Sequence, residues 1–272
     1  MDSLAEKLIG LKNINGGTVW DRQDGNIYAP TGFSTIDFLS ILGDIGLNYN
    51  DSSTVKDAVE KMMSYYDEKR GMFQYVQKGS KLPCVTAKII TALTKLKYKN
   101  SILENTFRFF VETQCDDGGW RCATVKIGKS DSTDASNPGT TLYVLDAYKY
   151  RENTKQEMGK MDKAILFLLR HWETKKPLGP CEFGIGTQFM KTEYPFIRYN
   201  LFYFLYVLSF YEKAKEDKRF KEALKELKAK EMDNGIKIEH PNKNWQNILF
   251  NGSNQCNLAN TKYKQLIENM QM

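Results

Sequence analysis

Gln114-Cys115-Asp116-Asp117-Gly118-Gly119-Trp120 is a chain reversal written in local chemistry. Aspartate bonds its own downstream backbone, and glycine reaches positive φ without a Cβ penalty, so Asp-Asp-Gly-Gly suits a tight turn. The tryptophan that follows brings a large ring to a place where two elements meet. It serves either as a plug between neighbours or as a stacking surface for a ligand. Residues 102–113 before the turn and 139–150 after it both carry helical periodicity, polar in the first case and apolar in the second.

The same order recurs outward in both directions. Apolar helices are predicted at 34–46, 85–98, 139–150 and 195–211, and polar ones at 3–12, 54–66, 102–113, 155–174 and 217–231, with a last helix at 258–270. The apolar helices superpose. Thr35, Thr86, Thr141 and Arg198 share a position, followed by Leu39, Ile90, Leu145 and Phe202, and then by Leu42, Leu93, Tyr148 and Leu205. Steps of about four and then three residues keep these on one face. Asp37, Lys88, Tyr143 and Asn200 also align, so their polar groups should be paired or wet. Pro83, Pro138 and Pro195 suit first-turn positions. A period of about fifty residues implies stacked or circularly arranged helical hairpins, about five of them. The expected organisation is a single all-α domain over residues 1–272.

The Gln114–Trp120 stretch resembles the Gln-x-x-x-Gly-x-Trp repeat of squalene cyclases and protein prenyltransferase β subunits. Gly16-Gly17-Thr18-Val19-Trp20 resembles its tail, and Asn137-Pro138-Gly139-Thr140-Thr141 is similar to the start of the inner helix that follows it there. The resemblance implies an α/α toroid, with inner helices lining a central cavity. It also implies an isoprenoid (polyprenyl) substrate, bound or transformed in a prenyltransferase-like or terpene cyclase-like manner. The catalytic signatures do not carry over. The cyclase Asp-x-Asp-Asp cluster is replaced by Asp131-Ser132-Thr133-Asp134, and the diphosphate-holding Asp-rich helix by the lone pair Asp116-Asp117. Magnesium is implied only if a diphosphate is bound. A zinc set drawn from Cys115, Cys122 and His171 lacks any Cys-x-x-Cys pairing, so no metal ligands are assigned.

Composition narrows the remaining classes. The chain has 272 residues, with 39 Lys and Arg against 33 Asp and Glu, a formal charge of +6. That excess is too small and too dispersed for a nucleic-acid footprint. Met1-Asp2-Ser3-Leu4 opens no apolar leader, and the run 197–210 is too short and too interrupted to cross a bilayer. Five cysteines, an odd number, read as reduced thiols, and the expectation is a cytoplasmic protein.

The candidate site residues fall in three groups. Asp131 and Asp134, with Asp116 and Asp117, are the candidate catalytic acids, because two close carboxylates can raise one pKa. The alternative is that they cap and turn the loop 126–137. Phe189, Tyr194, Phe196, Asn200 and Tyr203 belong to an aromatic- and Met-rich wall on the segment that leads into and begins the predicted helix 195–211, with Arg198 buried beside it to clamp an anionic head group. The alternative there is an ordinary packed helix, with Arg198 paired to Glu182 or Glu193. Trp20 and Trp120 are either core plugs or substrate platforms. A glycan-active enzyme using paired carboxylates and a non-catalytic binding or scaffold module with a protein partner are the competing functions. His171 and Trp172 read as the C-terminal cap of their helix, and 213–231 as a solvated mixed-charge helix.

Overall fold

The structure, a computed structural model, describes residues 3–123, 130–250 and 253–271, and for 131 and 132 the backbone alone. It is mostly helical. In the first half run α1 (Ser3–Gly10), α2 (Thr35–Ile45), α3 (Ser53–Met63), the two-residue strands β1 (Tyr66–Asp67) and β2 (Met72–Phe73), α4 (Pro83–Lys95) and α5 (Glu104–Thr113). There follow α6 (Asp131–Asp134), α7 (Pro138–Tyr148), α8 (Lys155–Thr174), α9 (Thr187–Met190), α10 (Leu201–Leu208), α11 (Glu212–Lys215) and α12 (Lys218–Lys228). The chain ends with the strands β3 (Glu231–Met232) and β4 (Gly235–Ile236), α13 (Lys243–Trp245) and α14 (Asn257–Asn269). Among the described residues no helix is long and apolar enough to cross a membrane.

The chain divides into two compact units, Met1–Thr113 and Gln114–Met272. In the first, α2 packs along α4. Ser34 starts α2 through a capping box with Asp37, and Gly46 ends it at φ 102°, a left-handed conformation. The buried faces carry Phe38, Leu39, Leu42, Ile89, Ile90 and Leu93. Each fully buried side chain of this size contributes about 1.5–3 kcal/mol. In the second unit, α7 is buried along its whole length, and α8 and α10 pack on it. Thr154 and Glu157 cap α8 reciprocally, which sets its first turn at the predicted residue.

One joint repeats. The residue that ends a turn is buried, and its N–H is donated to the helix that follows rather than to the turn's other limb. The fourth residue of the following helix supplies the acceptor: Thr86 Oγ1 for Phe73 N at 3.2 Å, Thr141 Oγ1 for Trp120 N at 3.0 Å, and Asn260 Oδ1 for Ile236 N at 3.1 Å. Leaving such a buried donor unpaired costs about 1–3 kcal/mol. Thr35 performs a related task by donating to the Val19 carbonyl at 2.8 Å. The turn tips are also docked. Gln114 donates through Nε2 to the carbonyls of Gly118 at 2.8 Å and Lys160 at 2.7 Å, binding the turn to α8. Gly118 sits at φ 95°, where a Cβ would lie 2.6 Å from the Lys163 carbonyl oxygen.

Three element expectations are corrected. The helix predicted at 195–211 begins at Leu201, because Asn200 is extended and its side chain accepts from Tyr203 N at 3.0 Å, capping the helix there. Arg198 therefore lies on irregular chain, and the alignment with Thr35, Thr86 and Thr141 fails at its fourth member. The predicted helix 217–231 is preceded by a separate turn, α11, and Asp217 caps α12 by accepting from Arg219 N at 2.8 Å. The loop 126–137 contains α6, started by Ser130; residues 126–129 lie outside the described residues.

Candidate functional site

The carboxylates of the 114–137 segment hold that segment together. Asp117 accepts from Ser136 Oγ at 2.6 Å, from Ser136 N at 2.9 Å and from Gly119 N at 3.1 Å, so it staples the turn to the chain entering α7. Asp116 beside it is exposed. Asp134 accepts from Arg121 Nη2 at 2.8 Å, while Arg121 Nε donates to the Asp134 carbonyl at 3.1 Å. Asp131 begins α6, and its side chain lies outside the described residues.

Trp20 is fully buried, donates from Nε1 to the Leu8 carbonyl at 3.1 Å and stacks on Phe38 with centroids 5.2 Å apart. Trp120 is 1% exposed. Each indole fills the core of its own unit.

The aromatic residues of 189–210 form two groups. In the first, Phe189 meets Tyr199 at 4.8 Å, Phe204 at 5.9 Å and Trp172 at 6.2 Å, between centroids. Under them lies His171, buried rather than exposed at a helix end. Its Nε2 meets the carbonyls of Phe183 at 3.0 Å and Lys176 at 3.1 Å, and its Nδ1 meets Tyr199 Oη at 3.0 Å. Two carbonyls at Nε2 require a proton there, so Nδ1 accepts from the tyrosine. Burial pulls the imidazole below its ordinary 6.5, against the two carbonyls, and burial pushes the Tyr199 hydroxyl well up. His171 thus anchors the 176–183 loop as a neutral ring.

In the second group, Phe196 stacks flat on Tyr203 at 4.6 Å, and Tyr203 on Tyr143 at 5.9 Å. Tyr194, Phe202 and Tyr206 surround Phe196 at 5.4, 5.0 and 5.3 Å. Behind them is a buried ion pair that motif reading missed. Tyr203 donates to Asp146 Oδ2 at 2.6 Å, and Asp146 pairs with Lys149, whose side chain is wholly buried. The Lys149 ammonium stands 4.1 Å from the Tyr206 ring centroid and 4.8 Å from that of Phe210. Burial, and then the Asp146 charge, push the Tyr203 hydroxyl well up, so it stays a donor. The available signal was one acid inside the apolar run 142–147, three residues before a lysine.

The exposed edge of this group is Phe196, half-buried, with Arg198 two residues on. Arg198 was expected inside. Its side chain is 55% exposed, and Nε donates to Glu193 Oε2 at 3.1 Å, a carboxylate that is itself buried. The irregular chain 191–200 turns the arginine outward, and of the two expected partners Glu193 takes it. The His240 backbone N–H donates to the Thr192 carbonyl at 3.1 Å, which brings it to the same edge. Burial and the charges of Arg198 and Lys191 pull its imidazole below 6.5. Arg198 and Lys191 thus bring positive charge to the stretch of chain around Phe196, with His240 as a neutral neighbour.

Among the described residues no three His, Cys, Asp or Glu side chains are grouped to hold a metal ion. Both ring nitrogens of His171 are hydrogen-bonded, and Cys122 lies 3.8 Å from Cys181, sulfur to sulfur. In comparisons with known proteins, no family model matches the chain, and no curated protein matches it.

Proposed function

We propose that the chain is a helical-repeat protein of the α/α toroid type that binds an isoprenoid-like ligand and leaves it chemically unchanged. The observation that carries the reading is the edge at Phe196. A half-buried ring stacked on Tyr203 offers an apolar surface, and the outward guanidinium of Arg198, with Lys191 nearby, offers a place for an anionic head group. The repeated turn-to-helix joint supports the toroid-type repeat. Binding without turnover fits the commitments of the acids: Asp117 and Asp134 are spent on holding their loop, and Glu193 on Arg198. A glycan-active enzyme would need an open indole face, and Trp20 and Trp120 are both buried.

The test is a thermal-shift titration with farnesyl and geranylgeranyl diphosphate, with and without magnesium, beside farnesol and inorganic diphosphate alone. Ligand at about one hundred times its Kd adds about 2.7 kcal/mol, a shift of several degrees. Prenyl diphosphates should raise Tm and be recovered intact. Phe196→Ala and Arg198→Ala should each weaken the shift. A flat response to every prenyl compound ends the reading.

A further inference from the structure

We propose that Cys122 and Cys181 are a reversible dithiol–disulfide pair, a modification site oxidised by hydrogen peroxide. Their sulfurs are 3.8 Å apart although the residues are 59 apart in sequence. A disulfide requires about 2 Å, so the sulfurs have to approach, and Cys181, which is exposed, is the side chain with room to rotate.

Both cysteines stand on chain that is already held in place. Cys181 occupies the tip of a narrow reversal. Leu178 and Phe183 exchange backbone hydrogen bonds of 2.9 and 3.1 Å, Glu182 N donates to the Gly179 carbonyl at 3.0 Å, and His171 grips the Phe183 carbonyl from below. Cys122 follows Arg121, which is clamped to Asp134. The two loops also touch: a Cβ on Gly179 would lie 3.4 Å from Asn137 Cα and 3.5 Å from the carbonyls of Ala135 and Ser136. The thiols therefore meet across a formed loop-to-loop contact.

The chemistry balances with one peroxide. The Cys181 thiolate attacks a peroxide oxygen; an S–O bond forms, the O–O bond breaks, and the departing hydroxide takes a proton to become water. The Cys122 thiolate then attacks the sulfenic sulfur; the S–S bond forms, the S–O bond breaks, and a second water leaves. The two sulfurs give up two electrons, and both peroxide oxygens end as water. A dithiol reductant reverses the modification. The link ties the segment after the Gln114–Trp120 turn to the 176–183 loop and encloses α7 and α8.

The experiment treats the native full-length protein with equimolar hydrogen peroxide, quenches it, denatures it and counts thiols, with peptide mapping under non-reducing conditions. The expected count falls from five to three, with one cross-linked peptide pair joining Cys122 and Cys181. Dithiothreitol restores five, and the oxidised form melts at a higher temperature than the reduced form. Cys181→Ser, at an exposed position, should keep all four of its thiols under the same treatment. Retention of five thiols by the native protein, a link through Cys84, Cys115 or Cys256, or an intermolecular product would each overturn the proposal.

Discussion

His171 shows how one side chain sets the pH response of its surroundings. Folded, it is a buried neutral ring with its imidazole held below the ordinary 6.5. Unfolded, it takes up a proton at about 6.5. Between the two values the unfolded state binds more protons, so the stability that depends on the neutral ring is present above about 6.5 and is lost as pH falls below it. His240 shifts in the same direction, so the wild-type slope contains both. Urea unfolding between about pH 7.5 and pH 5 should show a shallower loss for His171→Gln than for wild type, because glutamine does not titrate. Equal slopes would show that His171 does not titrate differently on folding. Asp146 and Lys149 make a second case at this scale. Lys149→Met leaves a buried carboxylate without its cation and should cost about 3–5 kcal/mol. Adding Asp146→Asn removes that charge while keeping an oxygen for Tyr203, and should recover part of the loss. Simple additivity of the two substitutions would sink the coupling.

At the scale of elements, the reversal at 114–120 is an assembly rather than a connector. Gln114 clamps it to α8, Asp117 clamps it to the chain entering α7, and Gly118 allows the close approach to Lys163. Gly118→Ala combines a strained φ with a collision against main chain, and should lower stability by at least about 2 kcal/mol in urea titrations. Gly159, exposed on α8 with nothing near its Cβ position, is the control, and its change to alanine should add up to about 1 kcal/mol. If Gly118→Ala were as benign, the turn would not be docked as described. The helices themselves were legible in the sequence, since α2 and α8 follow a local periodicity, α7 is a continuous apolar run opened by Pro138, and all three have their caps within three residues. The start of α10 was misread for an equally local reason. Pro195 suggested a first turn, but Asn200 offered a better cap, and the chain between them is irregular. That displacement exposed Arg198 and changed the candidate site from an enclosed clamp to an open edge.

Across the whole molecule, charge is spread in both signs, with a net excess of +6. Ligand attraction by that excess and by Arg198 should therefore weaken with salt, whereas contact with Phe196 should not. Repeating the prenyl diphosphate titration at about 0.5 M salt separates the two: the diphosphate increment shrinks, and that of the isoprenoid chain persists. Each compact unit buries its own tryptophans, Trp20 in the first and Trp120, Trp172 and Trp245 in the second. The sequence by itself determined the mostly helical class, the alternation of polar and apolar helices and the chemistry of the turns. These depend on residues one to four apart, where backbone geometry converts spacing directly into neighbourhood. Only the tertiary structure decided that Tyr203 reaches Asp146 across 57 residues, that His171 finds Tyr199 across 28, and that Cys122 meets Cys181 across 59. Meetings at such separations are set by how the helices pack, and packing selects partners by shape and burial that no local spacing encodes.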